Sequence, residues 1–482
     1  MMMKSETLKV VFVNPPFVYF PGAGKSSPNY SRPPLGIAYL ASYVKQYLGH
    51  PVELALVDCP GENLNSAADV ARRVAALRPD AIGLSVVTAT RDVAGELAER
   101  WRAACPGVPV ILGGPHITAL PDEPAPFVDA LIVGEGEQTI VEYLQKRVLQ
   151  QSTEEILGCR LLHDGMAQTP LSPRPFIEPL DHIPIPAREL LPNDAYVHSY
   201  PQRYRRFTTM FTSRGCPFNC SFCSNEALWR GTVRYHSAAR IREEIDRVMC
   251  DLGVDLIFFE DDTFLANRAL SSAVMAYLRT KRPALSWVCH TRADTLSAET
   301  LAEMEASGCV EIQIGVESGN QEILDKTDKR LRLETVRHAF QLLRRTRIKS
   351  WATFILGNEG ETRETFKQTL NLALEIDPSY ASMIILLPFP GSRAFRSYAD
   401  KGYLTTYRWS DYSWHGDPVF SLPHLSSAQL VKLRSRAYRR FYLRPRKLLH
   451  IFMDVVKASS LREILRNMRF WLSLSKSKPI RH

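Results

Sequence analysis

No run of eighteen or more apolar residues occurs in the 482-residue chain, which argues against a membrane-spanning helix. The amino terminus, Met1-Met-Met-Lys-Ser-Glu-Thr-Leu-Lys-Val10, enters a strand-like segment without a signal-peptide core, and nine cysteines are too sparse for a disulfide framework. Both features lead us to expect the cytoplasm. No G-x-G-x-x-G follows the first strand-like run, which weakens a dinucleotide-binding reading. Gly22-Ala-Gly-Lys-Ser26 fails as a phosphate loop because position 19 is Tyr where Gly is required. Charge is spread unevenly: residues 432–482 carry fifteen Lys or Arg against Asp454 and Glu463, and the rest of the chain is mildly acidic. A globally basic nucleic-acid binder is thereby disfavoured, and any anionic partner, such as a phospholipid surface or phosphorylated substrate, belongs at the C-terminal end.

What is present suits a soluble protein of two or three domains, with 45% hydrophobic residues. Five strand-like runs, 10–14, 54–58, 81–87, 108–113 and 130–133, alternate with helical patterns near 35–47, 67–77, 93–104 and 139–149. This predicts a doubly wound, Rossmann-like parallel sheet over residues 1–150, with ligand-binding loops at the carboxyl ends of the strands. Those loops supply Asn14, Asp58, Ser85, Thr88, Gly113, Gly114, His116, Gly134, Glu135 and Gly136 as candidate binding residues, several small enough to admit a large planar ligand. Residues 151–205 form a proline-rich connector that no helix can cross. Six further strand-like runs within 206–420 predict a partial barrel, and 421–482 a basic helical region. There Phe470, Trp471 and Leu472 among Arg466, Arg469 and Lys476 offer an amphipathic surface for peripheral contact with the inner membrane face, though packing on the barrel is the plainer reading.

Cys216, Cys220 and Cys223 stand as C-x3-C-x2-C, with no fourth Cys or His at ligand spacing. A structural zinc site takes four protein ligands, whereas three thiolates on a 4Fe-4S cluster leave one iron open. The other six cysteines have mostly apolar neighbours and read as core. The three-cysteine pattern, with Phe222 before its last member, resembles that of radical S-adenosylmethionine enzymes. The resemblance implies a (β/α)6 barrel in which the open iron chelates S-adenosylmethionine, whose reductive cleavage yields methionine and a 5'-deoxyadenosyl radical. It further implies that Phe222 lies against the adenine, that Glu260 or Asp261 in Phe259-Glu-Asp-Asp-Thr-Phe264 receives the ammonium group, and that Arg292 pairs with the carboxylate. Glu317 and Ser318 of Gly315-Val-Glu-Ser-Gly319 would hydrogen-bond the ribose and methionine ends, and Gly357 would bring backbone to the adenine. An ion pair with Asp294 is the plainer role for Arg292.

The first domain, through its G-G-P-H and G-E-G-E segments, is similar to the cobalamin-binding module of one large subgroup of these enzymes. Asp58 is followed by Cys-Pro-Gly rather than the D-x-H-x-x-G pattern of the methionine-synthase type, which implies cobalamin without a protein imidazole ligand. His116 is better read as a hydrogen-bonding group than as a substitute ligand. The expected activity is methylation of an unactivated carbon or phosphorus centre of a lipid or isoprenoid, tetrapyrrole or natural product, with a flavodoxin, ferredoxin or reductase as electron donor. The rival is a radical cyclase or oxidase of the anaerobic magnesium-protoporphyrin monomethyl ester cyclase type, and the non-enzyme alternative a zinc-stabilised scaffold for membrane or nucleic acid. A methylthiotransferase is disfavoured because the N-terminal third lacks three cysteines for a second cluster.

Overall fold

The computed structural model describes residues 7–17, 32–152, 154–196, 206–413 and 416–458. The segment 22–26 and the helix expected over 461–474, with Phe470, Trp471 and Leu472, lie outside them. No described helix is long and apolar enough to cross a membrane.

Strands β1 (Leu8–Asn14), β2 (Val52–Asp58), β3 (Ala81–Ser85), β4 (Val110–Gly113) and β5 (Ala130–Ile132) form a parallel sheet in the order β2-β1-β3-β4-β5. Along β1, Val10 and Phe12 enter one apolar layer and Val11 and Val13 the other, so both faces are covered and the strand is apolar almost throughout. Helices Leu35–Tyr47 and Glu137–Tyr143 cover the first face, and Ala67–Ala75 and Arg91–Ala104 the second. Because β1 lies between β2 and β3, the crossovers diverge there, and a crevice opens beyond the carboxyl ends of β1 and β3.

The sheet continues past residue 150: β6 (Cys159–His163) pairs antiparallel with β5, and β7 (Met166–Ala167) with β6. The stretch expected to begin the connector therefore contains a hairpin, turned on Asp164 and Gly165 at positive φ, the usual two-residue turn chemistry. Beyond it, Ile177, Leu180, Ile183, Ala187, Leu191 and Tyr196 share one buried layer with Leu35–Tyr47 and with Phe207, Leu256, Phe258 and Val288. Residues 177–196 of the connector thus pack between the two domains.

In the second domain, β8 (Phe207–Met210) is followed by the short antiparallel pair β9 (Ser213–Arg214) and β10 (Arg234–Tyr235). Then come β11 (Leu256–Phe259), β12 (Ser286–Thr291), β13 (Cys309–Glu317), β14 (Lys349–Leu356) and β15 (Tyr380–Ile385). Six of these run parallel in the order β15-β14-β13-β12-β11-β8, a partial barrel with two edges. Helices Ser427–Tyr442 and Pro445–Ala458 seal one edge. Tyr442 OH accepts from Ala381 N–H at 2.9 Å and donates to its carbonyl at 2.8 Å, while Tyr438 OH accepts from Met383 N–H at 3.2 Å. Edge backbone on β15 is satisfied in this way by side chains of helix Ser427–Tyr442. At the base, Asp454 of helix Pro445–Ala458 accepts from Lys349 Nζ at 2.9 Å and Tyr380 OH at 2.7 Å.

Candidate functional site

The cysteine loop leaves β9 through Arg214 and Gly215 and returns to β10. Gly215 has φ +97°, and a Cβ there would lie 2.0 Å from the Thr232 carbonyl oxygen, so only glycine lets the two stems approach. Asn225 Nδ2 donates to the Cys216 carbonyl at 2.9 Å, Cys223 N–H to the Cys220 carbonyl at 3.0 Å, and Ser221 N–H to the Thr327 carbonyl at 2.9 Å. From the Pro388–Ser392 turn side, Ser224 Oγ donates to the Pro390 carbonyl at 3.1 Å. The three thiols are free of disulfides and at least partly accessible. Among the described residues no three His, Cys, Asp or Glu side chains converge as the ligands of one ion would. Thiolates that each take a different iron of a cubane need no such convergence.

At the end of β11 three carboxylates take three courses. Glu260 pairs with Arg32 and lies 3.7 Å from His290 Nε2. Burial pushes its carboxyl up, but His290 and Arg32 outweigh that and hold it below the ordinary range. Asp261 is 1% exposed and fully used in bracing the end of β8: it accepts from Thr212 N–H at 3.0 Å, from Thr212 Oγ1 at 2.7 Å and from Ser213 Oγ. Asp262, which the sequence reading passed over, opens on the barrel mouth near Cys216 and Cys223, and no described residue hydrogen-bonds its carboxylate.

Other expected groups are engaged within the protein. Arg292 is bidentate on Asp294 at 3.0 and 2.8 Å, with its guanidinium 3.7 Å from the Phe218 ring centroid, so the fork expected for a cofactor carboxylate braces the cysteine loop. Glu317, at φ +69°, accepts from Lys329 Nζ at 2.8 Å. Ser318 is buried, accepts from Asn320 N–H at 3.1 Å and lies 3.3 Å from Thr369 Oγ1. Gly357 donates its N–H to Glu361, and its carbonyl accepts from Tyr398 OH at 2.7 Å. Phe222 is half-buried against the barrel core.

Glu361 Oε1 has no partner among the described residues, and burial pushes its carboxyl up to about 7. The fold therefore favours the protonated acid, and this stability, full below the unfolded value near 4.5, is lost as pH rises through about 7. Glu361→Gln is expected to gain up to roughly 3 kcal/mol over the parent at pH 8 and nothing at pH 4, read from urea unfolding at both pH values.

Between the crevice of the first domain and the barrel mouth lies a cleft of about 420 Å³. Ser85, Gly113, Gly114, Gly134 and Gly136 line one side, and Arg214, Gly215, Leu228, Trp229, Glu260 and Asp262 the other. Gly114 sits at φ +102°, with Val86 N 2.7 Å from where a Cβ would stand, so the turn admits nothing larger. At Gly36 and Gly134 an added Cβ would meet nothing within 4 Å, which leaves room beside both. A largely apolar slot lined by glycine fits a large planar macrocycle, and no described histidine lines it. Gly36, Arg214 and Trp229 were not anticipated; the small residue opening a helix after Pro33-Pro34 was the available signal for Gly36.

Four expected residues, Asn14, Asp58, Thr88 and His116, fall outside this cleft. Asn14 Nδ2 and Tyr196 OH donate to Asp58 at 2.7 and 2.9 Å, tying the strand ends to the connector. His116, 1% exposed, sits 3.3 Å from Thr88 Oγ1 and 3.0 Å from Glu123 Oε2, with its ring edge-on to Trp409. Trp409 Nε1 donates to Glu123 at 2.6 Å, so this group docks the end of the second domain on the first. Glu135 does line the cleft, but Arg214, Arg234 and the Ile177 N–H occupy its carboxylate.

Comparison with known proteins finds two matching family models. The Radical SAM superfamily matches residues 210–373 and the B12 binding domain residues 25–144. The uncharacterized methyltransferase PH0819 of Pyrococcus horikoshii is 32% identical over 448 residues, spanning 92% of this chain and 94% of the relative. The anaerobic magnesium-protoporphyrin IX monomethyl ester cyclase of Rubrivivax gelatinosus is 27% identical over 450 residues, spanning 90% and 78%. The solved structure of the cobalamin-dependent S-adenosylmethionine radical enzyme OxsB, with aqua-cobalamin and S-adenosylmethionine bound, has the same fold. Its TM-score is 0.70 at 17% identity, over 97% of this chain and 72% of that one. With a near full-length relative and both domains matched in order, this chain belongs to the cobalamin-binding radical S-adenosylmethionine enzymes, whose cofactors are a 4Fe-4S cluster, S-adenosylmethionine and cobalamin.

Proposed function

We propose that the chain is a methyltransferase acting on an unactivated carbon or phosphorus centre of a small molecule: a lipid or isoprenoid, a tetrapyrrole or a natural product. The observation that carries this is one shared cavity: Arg214 and Gly215, adjoining Cys216, face the same cleft as Gly114 and Gly134. When bound, the cluster with S-adenosylmethionine supplies a hydrogen-abstracting radical, and cobalamin a methyl carrier. Cys216, Cys220 and Cys223 would hold the cluster, and Ser85, Gly113, Gly114, Gly134 and Gly136 the cobalamin. Phe222 and Glu317 remain candidates for the adenine and ribose. The apolar walls would keep water from the reacting atoms. Reduction would come from a flavodoxin, a ferredoxin or a reductase.

Asp262 is the better candidate for the ammonium of S-adenosylmethionine, since its carboxylate faces the mouth unpartnered by described residues. Asp262→Asn is expected to keep iron and fold while weakening S-adenosylmethionine binding roughly 10- to 100-fold by calorimetric titration. Asp261→Asn should instead lower the Tm, because buried donors lose their acceptor.

The near full-length methyltransferase relative supports methyl transfer, and the cyclase relative carries the second reading. Methylation releases S-adenosylhomocysteine as well as 5'-deoxyadenosine and methionine, so product analysis of the reduced holoenzyme decides between them. 5'-Deoxyadenosine alone, with a dehydrogenated or ring-closed product, would favour the cyclase reading.

We further propose that the last described helix contacts an anionic lipid surface. Leu448, Leu449, Phe452 and Met453 of the last described helix are exposed, as is Leu443 before it. Arg439, Arg440 and Arg446 are exposed in the same stretch, with no ion pair to described residues. Apolar side chains beside cations suit anionic headgroups; a second copy of the chain would bring like charges together. Phosphatidylglycerol vesicles should sediment the parent and fail with Leu449→Glu/Phe452→Glu, and equal recovery with phosphatidylcholine would count against the contact.

A further inference from the structure

Two carboxylates of the Gly134-Glu-Gly-Glu137 turn are buried and face the barrel. Glu135 accepts four hydrogen bonds: from Arg214 Nη1 at 2.7 Å, from Arg234 Nη2 at 2.7 Å and Nη1 at 2.9 Å, and from Ile177 N–H at 3.0 Å. Glu137 accepts from the other arm of Arg214 at 2.6 Å. Arg214 and Arg234 are partners across the β9–β10 pair, the two stems of the cysteine loop. Each stem therefore sends one guanidinium into a single carboxylate of the first domain, and the connector adds a backbone donor.

Charges balance within this group, two against two. Burial pushes the Glu135 carboxyl up, but the Arg234 hydrogen bonds and the two arginine charges outweigh it and hold it below the ordinary range. Four bonds use the usual capacity of a carboxylate, which leaves Glu135 poorly placed to bind a ligand in the cleft it lines. Buried ion pairs of this kind seldom stabilise a protein more than apolar packing of the same volume would. What bidentate forks do provide is direction: guanidinium and carboxylate meet well in few relative orientations. Apolar packing at the same place would tolerate sliding between the domains.

We infer that Glu135, clamped by Arg214 and Arg234, is a positioning residue that fixes the distance and orientation of the cleft relative to the cysteine loop, and that it does not itself bind the cofactor there. The inference rests on the cobalamin reading of the cleft for the second of two measurements only. The first is scanning calorimetry on the full chain without cofactors. The parent should unfold in one transition. Glu135→Gln, which keeps the shape and removes the shared charge, should unfold in two, the lower about 5–10 °C below the parent. Glu137→Gln, which loses one bond, should show a smaller shift and a single transition.

The second measurement uses chain reconstituted with iron, sulfide and cobalamin, with electron paramagnetic resonance reading the spin coupling between cob(II)alamin and the reduced cluster. Glu135→Gln should hold iron and cobalt at parental levels and show weaker or more dispersed coupling. A single transition at the parental temperature overturns the inference, and so does loss of cobalt with the domains still unfolding together, the mark of a direct ligand. Should Glu135→Gln fail to fold, Arg234→Lys decides, because it keeps the charge and loses the fork. Parental behaviour of that variant in both measurements also overturns the inference. If the parent holds no cobalamin, the cobalamin reading fails and calorimetry alone judges the positioning role.

Discussion

Alanine at any one of Cys216, Cys220 or Cys223 is expected to reduce cluster iron from about four per chain to below about one. Cleavage of S-adenosylmethionine should fall with it, by about a thousandfold or more, because the open iron that would chelate the cofactor is lost with the cluster. The expected effect is large because the loop supplies three ligands and the sequence holds no fourth Cys or His at ligand spacing. Fold should survive, since Gly215, Asn225 and the Thr327 carbonyl shape the loop through contacts that need no metal. A near-parental Tm with full cobalt content and no iron is therefore the expected result. Cys250→Ala, at an exposed helical position away from the loop, should change none of these readings. Iron and cleavage retained in any one of the three loop variants would contradict the assignment.

Tryptophan at Gly36 should do the reverse, sparing iron while lowering cobalamin affinity by about a hundredfold or more. Gly36 opens the helix Leu35–Tyr47 and lines the cleft, and an added Cβ there meets nothing within 4 Å. A bulky side chain at this position therefore has room to grow into the cleft that a macrocycle would fill. Leaving glycine improves helix propensity by a few tenths of a kcal/mol, so stability should hold or rise slightly. Cobalt remaining after gel filtration reads the outcome. Cobalt retained at the parental level would move the cobalamin site elsewhere, and iron lost together with cobalt would indicate general damage.

Much of this was legible before the structure. Apolar runs at β1, β3, β11 and β13 marked both parallel sheets, and the three-cysteine spacing marked the cluster loop. Other features depended on strand order, which periodicity does not contain. Asn14 and Asp58 end neighbouring strands, but the crevice opens between β1 and β3, so the carboxylate of Asp58 turns to the connector instead. Period two could have set Asp261 apart: Phe258 faces the first domain and Phe259 the outer helices, and continued alternation puts Asp261 with Phe259 but leaves Glu260 and Asp262 on one face. Asp164-Gly165 was a turn signal obscured by the prolines that follow. Glu135 was singled out as a binding residue, but its clamp could not have been read, because the arginines that occupy it lie 79 and 99 residues away.

We propose that one chain holds a cluster and a cobalamin on facing walls of one cavity, and the decisive experiment is to purify the protein without oxygen, reconstitute it with iron, sulfide and hydroxocobalamin, and count metals. About four irons and about one cobalt per chain are predicted, with the iron lost and the cobalt kept in the triple Cys216/Cys220/Cys223→Ala variant. Zinc in place of iron, or iron without cobalt, would contradict the account.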